Sequence, residues 1–469
     1  LLTNGFSAIK PISRDRWPFS ENRIDYGGWI EDIDKFDSDF FKIKDNDAAI
    51  MDPQARLILE ESLKVIYDAG YQQNELSGKN IGVYIGARAQ PNIDFEAILR
   101  ANNPILGVGQ NYLATNISRY FNFTGLSLVL DTACSSGLTA LSLASDLLKN
   151  RNLDMAMVGV VNLILNPFVY DFFGARNILS KTGEFHIFDK RAGGEVFGEG
   201  VGVIMIKRLM DAIKDGNKIY GVIKSIAVNN DGRTLGPGSP NLEAQKEVMR
   251  KALVSSGKKV EDVGYIEVNG GGTPVTDTIE IKALNDVYKL KDTNLKSCAL
   301  GSIKPNIGHV LLSSGLAGFI RCMLSLYHKK IPSFLSAKEK VDYFDFESSR
   351  VQFNRNTIDW NVEPGRKRVA SQNSFPDGGT NCHVIMEEFV PEEGYEQKYK
   401  SLPIPAMHKK RFKINSTNGS GKSEIKSTDI NDSSMSITDF KKKYTVTNSN
   451  DVNKKTKVQF ENSWGKYNE

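Results

Sequence analysis

The sequence predicts an α/β protein in which helices cover both faces of the sheets. Two continuous apolar runs, NIGVYIGA at 80–87 and GLSLVLDTA at 125–133, are typical of strands buried on both faces. A third segment, AQKEVMRKALVSSG at 244–257, has helical spacing and ends on a glycine, which often stops a helix. Buried strands that alternate with helices favour a layered α/β architecture.

Two further apolar segments lie near the middle of the chain. Both GVGVIMIKRL at 200–209 and YGVIKSIAVN at 220–229 have the pattern of strands, and MDAIKDGNK at 210–218 between them has the pattern of a helix. We expect the two strands to pair with each other in one sheet, because consecutive strands are usually neighbours.

The composition of the chain changes after Glu388, where the apolar periodicity ends and Lys, Ser, Asn and Gly become frequent. We interpret 1–390 as the main domain, 391–412 as a linker that follows it, and 413–469 as a second linker with a composition typical of disorder. From Lys409 to the end, 13 Lys and Arg stand against 7 Asp and Glu, while the whole chain has a net charge of +4. The main domain is therefore nearly neutral.

Composition also argues against several classes of function. A net charge of +4 over 469 residues is too small to indicate a nucleic-acid partner. No run of about 18 apolar residues is present, so we expect no membrane-spanning helix. The cysteines form no CxxC pair, which argues against a disulfide framework and a metal site and fits the reducing cytoplasm. They are Cys134, Cys298, Cys322 and Cys382.

The stretch LSLVLDTACSSGLTALSLASDLLK contains a candidate nucleophile, Cys134. An apolar strand ends at Asp131, small residues form a tight turn around Cys134, and an amphipathic helix follows. The positive end of the helix dipole and its free N–H groups favour a thiolate over a thiol. This arrangement is similar to the strand–turn–helix elbow that presents nucleophilic serines in hydrolases. The alternative is that Cys134 is a small buried residue without a catalytic role.

The segment DTACSSGLTAL resembles the active-site motif of β-ketoacyl synthases, in particular of the ketosynthase domains of modular polyketide synthases. The resemblance covers about residues 1–390, where other landmarks of the family stand in the family's order: GGWIEDIDKFDSDFF, MDPQARLILEESLKVIYDAGY, FDKRAGGEVFGEGVGVIMIKRL, VNNDGRT, GSIKPNIGHVLLSSGLAG and NSFPDGGTNCHVIMEE. It implies a thiolase-like fold, with two similar α/β halves in a layered αβαβα arrangement, and a homodimer.

The resemblance also implies where the two halves lie. The half that carries the nucleophile extends to about residue 208, and the second half covers about 219–390. The family's opening strand has no counterpart in the sequence, so we expect the N-terminal strand of the domain to be missing.

Members of this family work in two stages. An acyl chain first moves from the phosphopantetheine arm of a carrier protein to the cysteine, and a malonyl unit then loses carbon dioxide and attacks the acyl-cysteine. His309, in KPNIGH, matches the second of the family's two histidines, and Lys304 lies at its family position. The resemblance implies that His309 holds the sulfur of Cys134 and polarises thioester oxygens, while Lys304 organises the local charge.

Asn269, in YIEVNGGGTP, stands where the family has its first histidine. An amide donates and accepts hydrogen bonds, but it does not carry a proton near neutral pH. Loss of a positioned acid–base group typically costs about 10²–10⁴-fold in rate. In the family the first histidine acts mainly in the second stage, so condensation should suffer more than acyl transfer.

The same loop lacks a hydroxyl that the family uses for substrate binding. The family pattern His-Gly-Thr-Gly-Thr reads NGGGT at 269–273. In the family both threonines help to hold the pantetheine arm. By resemblance, one of these pantetheine-binding positions is the bare Gly271, and the other keeps its hydroxyl as Thr273.

The family's gating loop, which forms the oxyanion hole together with the nucleophile Cys134, is also altered. Its Gly-Phe-Gly-Gly pattern reads PDGG at 376–379, so that Asp377 replaces the aromatic gate and Gly378 is kept. The first glycine becomes a proline, which restricts φ. Asp377 near the site would oppose a second anion such as malonate. The alternative is that its carboxylate points into solvent.

These features lead to the hypothesis of a non-elongating ketosynthase, a kind found in polyketide synthases whose acyltransferases act in trans. It would accept an acyl chain on Cys134 and relay it between upstream and downstream acyl carrier proteins. We expect no bound cofactor, metal, nucleic acid or membrane, because the substrate arrives on the carrier's phosphopantetheine. Two alternatives remain open: a condensing 3-oxoacyl synthase that tolerates Asn269, and an idle scaffold for dimerisation and carrier-protein docking.

Overall fold

The computed structural model describes residues 2–13, 16–17, 24–90, 95–236, 238–290 and 298–414. All of these belong to one compact unit, Leu1–Thr417. The strands of this part of the chain are β1 Ile9–Pro11, β2 Tyr26–Gly28, β3 Lys35–Phe36, β4 Ile81–Gly86, β5 Ser127–Leu130, β6 Met155–Asn162, β7 Gly200–Lys207, β8 Val222–Asn230, β9 Val263–Glu267, β10 Cys298–Gly301, β11 Lys330–Ile331, β12 Val351–Phe353, β13 Ile358–Asp359, β14 Val369–Ser374, β15 Thr380–Glu387 and β16 Lys410–Arg411.

The helices are α1 Asp45–Ile50, α2 Pro53–Asp68, α3 Phe95–Arg100, α4 Tyr112–Phe121, α5 Ser136–Lys149, α6 Phe168–Ala175, α7 Leu209–Asp215, α8 Leu242–Ser256, α9 Pro274–Tyr288, α10 Lys304–Ile307 and α11 Ser314–His328.

The first large sheet has four strands, in the order β5-β4-β6-β7. β4 pairs in parallel with β5 and β6, while β7 runs antiparallel to β6. Every residue of β4 is buried, as its continuous apolar sequence predicts, and so is every residue of β6. The expectation that β5 is buried on both faces is wrong, because β5 is an edge strand and its residues are only partly buried.

The second large sheet has six strands, in the order β12-β10-β9-β14-β15-β8. Its first four strands are parallel, and β15 is antiparallel to both β14 and β8. The run β10-β9-β14-β15 therefore repeats the order and the directions of β5-β4-β6-β7. This repetition confirms the expectation of two similar α/β halves.

The expected pairing of the segments 200–209 and 220–229 is wrong. They form β7 and β8, which are edge strands of different sheets, because α7 carries the chain from one sheet to the other. Each strand lies antiparallel to a strand of its own half instead. A cavity of about 530 Å³ is lined by both edges, and its lining includes neither Cys134 nor His309.

The helices and sheets alternate in five layers. α5 and α11 pack against each other in the middle, α5 on β4 and β6 and α11 on β14. α2 and α4 cover the outer face of the first sheet, and α8 covers the outer face of the second. This order is the layered αβαβα arrangement that the family resemblance implies.

The central helix α5 fits closely onto the first sheet. Gly137 allows this approach, because a Cβ at this position would lie 2.7 Å from Cγ1 of Val160 on β6. The residues of α5 whose helical spacing predicts a buried face are all buried: Leu138, Leu141, Ala144 and Leu148. The start of α5 is thereby fixed against β6, and with it the turn that carries Cys134.

Residues 391–412, which the sequence predicts to be a linker, run along the first half. Tyr399 packs against Tyr71 with ring centroids 4.4 Å apart, β16 pairs with β3, and Phe412 is buried. The predicted second linker lies outside the described residues from 415 to its end. Within the described ranges, no helix has the length and apolar character that crossing a membrane would require.

Candidate active site

Cys134 lies in the turn between β5 and α5, immediately before Ser135, the N-cap residue of α5. It is partly exposed, whereas the other three cysteines are buried. Ala133 has a φ of +53°, in the left-handed region where a residue with a side chain is strained. The chain therefore turns sharply from strand to helix at the cysteine, as the sequence predicts.

Polar side chains hold this strained turn in place. The Ala133 N–H donates to Oδ1 of Asp131 over 2.9 Å. The hydroxyl of Ser135 donates to the carbonyl of Thr132 over 2.9 Å, and the hydroxyl of Ser136 donates to the carbonyl of Ala133 over 2.6 Å. Small hydroxyl residues around the cysteine thus supply hydrogen bonds that the sharp turn denies to the backbone.

His309 is a buried histidine whose backbone is paired with the segment that precedes β7. Its N–H donates to the carbonyl of Val196 over 2.7 Å, and its carbonyl accepts from the N–H of Gly198 over 3.0 Å. Its Nδ1 lies 2.9 Å from Oε2 of Glu195. The imidazole is therefore held by both its backbone and one ring nitrogen, and Nε2 remains for other partners.

Burial and three charged neighbours set the charge of this imidazole. Burial and the charge of Lys304 lower the pKa of His309, but the negative charges of Cys134 and Glu195 outweigh them and raise it to about 9. Burial acts to raise the pKa of Glu195, yet the imidazolium lowers it overall. Both shifts favour a charged His309. The side chain of Cys134 therefore contributes to keeping the imidazole charged.

Lys304 connects α10 to the loop that follows β9. Its Nζ is buried and donates to the carbonyl of Gly270 over 3.3 Å. Its positive charge acts on several carboxyl groups, among them those of Glu195, Asp277 and Glu280. Lys304 thus partly balances the negative charge that is buried near the site.

Asn269 joins the loop after β9 to the end of β14. Its N–H donates to Oε1 of Glu280 over 2.7 Å, and its side-chain Oδ1 accepts from the backbone N–H of Phe375 over 3.2 Å. Oδ1 keeps a second lone pair and Nδ2 keeps its N–H groups for further hydrogen bonds, but the amide has no group that titrates near neutral pH. Asn269 is therefore placed to donate hydrogen bonds, but it cannot take up or release a proton.

Residues 376–379, the counterpart of the gating loop, form a tight turn directly after Phe375. The N–H of Gly379 donates to the carbonyl of Pro376 over 3.2 Å. Gly378 has a φ of +79°, which the third position of a type II turn requires and which glycine adopts without strain. The carbonyl of Gly378 accepts from Nδ2 of Asn230 over 3.2 Å. The turn is thus fastened to the end of β8.

Asp377 occupies the outer corner of this turn and is exposed. Partial enclosure by protein and the charge of Glu195 raise the pKa of Asp377, while His309 and Lys304 lower it. A Cβ added at Gly238 would lie 3.3 Å from Oδ1 of Asp377. The shifts in its pKa show that the carboxylate interacts with the charged groups around His309, although it also contacts solvent.

Gly271 and Thr273 lie in the loop that leads into α9. The hydroxyl of Thr273 caps this helix by accepting from the N–H of Thr276 over 3.4 Å, and the two hydroxyl oxygens lie 2.8 Å apart. A Cβ at Gly271 would lie only 2.1 Å from Oγ1 of Thr276. The side chain of Thr276 thus fills the space that a side chain at position 271 would need.

Comparison with known families agrees with this geometry. The profile of the β-ketoacyl synthase N-terminal domain matches residues 1–212, and that of the β-ketoacyl synthase C-terminal domain matches residues 220–338. The chain belongs to the β-ketoacyl synthase family. The boundary between the two matches falls between β7 and β8, where the chain passes from one sheet of this synthase fold to the other.

The relatives of this β-ketoacyl synthase chain include very long polyketide synthases. It is 44% identical over 409 residues to polyketide synthase PksL of Bacillus subtilis, covering 87% of this chain and 9% of that protein. It is 36% identical over 428 residues to PksN of the same organism, covering 84% of this chain and 8% of that protein. The chain thus spans about a tenth of the length of these two relatives.

Solved ketosynthase structures have the same fold. Ketosynthase domain KS8 of OzmH, from the oxazolomycin system of Streptomyces albus, is 39% identical, with a TM-score of 0.69 over 82% of this chain and 90% of that chain. The module 6 ketosynthase of the bacillaene synthase from Bacillus subtilis is 34% identical, with a TM-score of 0.77 over 84% of this chain and 69% of that chain. These matches confirm the thiolase-like fold and the resemblance to ketosynthase domains of modular polyketide synthases.

The ketosynthase site contains two carboxylates that its sequence motifs did not reveal as functional. Glu195 binds Nδ1 of His309, and Glu280 accepts from the backbone N–H groups of Asn269 and Gly270. Only Glu195 has a signal in the sequence, because it lies in a run of small and apolar residues, AGGEVFG. An acidic side chain in such a run needs a buried partner.

Most of the predicted site residues are brought together by the fold. Cys134, Lys304 and Asp377 all interact electrostatically with His309. Thr273 has a visible structural role, since its hydroxyl caps α9. Among the residues that the structure describes, no three His, Cys, Asp or Glu side chains are grouped so that they could hold a metal ion.

Replacing Gly271 by threonine, which restores the family's residue, should lower the free energy of unfolding by about 1–3 kcal/mol. The new Cβ would collide with the hydroxyl of Thr276, which belongs to α9 and cannot move away freely. Denaturant unfolding of the single variants and of Gly271→Thr combined with Thr276→Gly measures the coupling. The double variant should recover most of the loss. A Gly271→Thr protein as stable as the parent would contradict the steric conflict.

Proposed function

We propose that this ketosynthase domain accepts acyl chains on Cys134 and passes them between acyl carrier proteins without decarboxylative condensation. The observation that carries the proposal is the hydrogen bond from the Phe375 N–H to Oδ1 of Asn269, 3.2 Å long. This bond fixes an amide, which has no titratable group, on the side chain that stands where the family has a histidine. Condensation would therefore lack a second group that can carry a proton or a positive charge.

The chain keeps the cysteine and the neighbouring histidine that acyl transfer needs. The strained turn presents Cys134 next to the buried His309, and the negative charges of Cys134 and Glu195 stabilise the imidazolium despite burial. A thiolate beside an imidazolium is the activated form of a cysteine nucleophile. The presence of this cysteine–histidine pair favours a working transacylase over an idle scaffold.

Asp377 adds a second obstacle to condensation. A malonyl group carries a carboxylate, which would approach a site that already holds the carboxylates of Glu195 and Asp377. Like charges that enter a partly enclosed site repel each other strongly. An acyl thioester without a charge near the reacting carbon does not meet this repulsion.

The proposed substrates are acyl chains on the phosphopantetheine arms of an upstream and a downstream carrier protein. Similarity to PksL and to ketosynthase domains of the oxazolomycin and bacillaene systems supports this assignment. The reaction needs no cofactor of the domain itself, because the thioester already stores the energy of the acyl bond.

The relay is tested by intact-mass spectrometry of the protein, first with an acyl-pantetheine thioester and then with malonyl carrier protein. We expect the mass of one acyl group on the chain, no extended β-keto product and no release of carbon dioxide. Extended product would support the condensing alternative. A folded protein that stays unacylated would support the scaffold alternative.

We also propose that the domain acts as a homodimer through the free edge of β5. β5 is an edge strand of the first sheet, Leu126 immediately before it is exposed, and so is Leu143 on α5. An unpaired strand with apolar neighbours is a template for a second copy.

Light scattering should give the mass of two chains for the parent protein and of one chain for Leu126→Asp combined with Leu143→Asp. Two buried charges would oppose pairing of the β5 edges. Val254→Asp, an exposed position on α8, is the matched control and should remain dimeric. A monomeric parent protein would contradict the proposal.

A further inference from the structure

We infer that Glu195 is a positioning residue that completes a nucleophile–base–carboxylate triad with Cys134 and His309 for thioester exchange. The inference rests on the proposed function, since it names the groups that carry out the acyl transfer. Its basis is the contact of 2.9 Å between Oε2 of Glu195 and Nδ1 of His309. In triads of this kind the carboxylate orients the imidazole and stabilises its charged form.

The main chain holds Glu195 and His309 against each other. The N–H of His309 donates to the carbonyl of Val196, the residue after Glu195, over 2.7 Å. The N–H of Glu195 donates to the carbonyl of Ile178 over 2.8 Å. Both side chains are largely shielded, with exposed fractions of 7% for His309 and 20% for Glu195. The contact is therefore a fixed part of the fold rather than a surface ion pair.

The other ring nitrogen completes the arrangement. Nε2 of His309 is buried and has no hydrogen-bond partner among the described residues. The side chain of Cys134 also stabilises the protonated ring. One nitrogen is thus occupied by a carboxylate, and the other is free to exchange a proton with sulfur.

These positions give a complete cycle of acyl transfer. The Cys134 thiolate attacks the carbonyl carbon of the incoming thioester, and the bond from this carbon to the pantetheine sulfur breaks. The leaving sulfur takes the Nε2 proton of His309 and departs as a thiol. In the second step the thiol of the next carrier gives its proton to His309 and attacks the acyl-cysteine, which releases Cys134 as a thiolate. One histidine serves both steps, so position 269 need not carry a proton.

The charged and titratable groups that face His309 come from four elements. They are Cys134 before α5, Glu195 before β7, Lys304 on α10 and Asp377 in the 376–379 turn. Lys304 opposes the imidazolium, and Asp377 is exposed. Glu195 is the carboxylate that hydrogen-bonds the ring, so its removal should destabilise the thiolate–imidazolium pair most directly.

The test is the pH dependence of Cys134 alkylation by iodoacetamide in the Glu195→Gln variant. We expect the midpoint of the profile to move to higher pH by about 1–3 units, because the amide no longer stabilises the imidazolium that accompanies the thiolate. Cys298, Cys322 and Cys382 are buried and should contribute little background. The ultraviolet absorbance of the thiolate, measured against Cys134→Ala, gives the same midpoint without a reagent.

The Glu184→Gln variant is the matched control. Glu184 also pairs with a histidine, its Oε2 lying 2.9 Å from Nε2 of His186, but it is exposed and outside the proposed triad. The Glu184→Gln variant should keep the midpoint of the parent protein. Glu195→Asp retains a carboxylate, so its midpoint should lie between those of the parent and Glu195→Gln. A folded Glu195→Gln protein with the parent midpoint would overturn the triad. Alkylation requires no acyl donor, so this result is independent of whether the domain relays acyl chains.

Discussion

Replacing Cys134 by alanine is expected to abolish acylation of the domain and transfer of the chain to a second carrier protein. The loss should be at least about 10³-fold, because a covalent relay has no route around its nucleophile. Intact-mass spectrometry of the acylated domain and transfer of a labelled acyl chain between two carrier proteins measure the two steps separately.

The Cys298→Ala variant provides the comparison for this experiment. Cys298 is buried at the start of β10, and burial raises its pKa to about 11, so it is not available as a nucleophile. This variant should be acylated like the parent. Acylation of Cys134→Ala at the parent rate would place the nucleophile elsewhere and would disprove the relay through Cys134.

The second large effect is expected from Asn269→His, which should raise the rate of malonyl decarboxylation by about 10²–10⁴-fold. Nδ1 of a histidine can accept the Phe375 N–H that Oδ1 of Asn269 now accepts, which leaves Nε2 to stabilise an enolate. Release of carbon dioxide from malonyl carrier protein and the mass of any β-keto product measure the gain.

A substitution that keeps the amide separates chemistry from shape. Asn269→Gln changes the size of the side chain, but it adds no group that carries a proton, so decarboxylation should stay at the parent level. If the parent protein and Asn269→His decarboxylate equally fast, Asn269 does not prevent condensation. The alternative of a condensing synthase that tolerates Asn269 would then hold.

The features that could be predicted from the sequence are those formed by residues close together in the chain. The turn around Cys134 follows from an apolar strand, a run of small residues and an amphipathic helix, all within 126–149. The buried face of α5 follows from helical spacing. Such patterns extend over a few residues, so they predict secondary structure without information about contacts between distant segments.

The features that sequence reasoning missed depend on contacts between distant segments. The prediction that β7 pairs with β8 was wrong, because strand pairing depends on the packing of the whole sheet and not only on closeness in the sequence. The hydrogen bond between Nδ1 of His309 and Oε2 of Glu195 joins residues that are 114 positions apart in the chain. The conflict between Gly271 and Thr276 is close in sequence, but it depends on how the loop folds back on α9.

The pairing of His309 with the segment before β7 has a consequence for the kinetics of folding. Glu195 belongs to the first half and His309 to the second, so the imidazole reaches its position only after the two halves have docked. Contacts of such large sequence separation form slowly, because a long loop must close before they are made. Recovery of thiolate reactivity during refolding should therefore lag behind recovery of helical structure and mark the completion of the native domain.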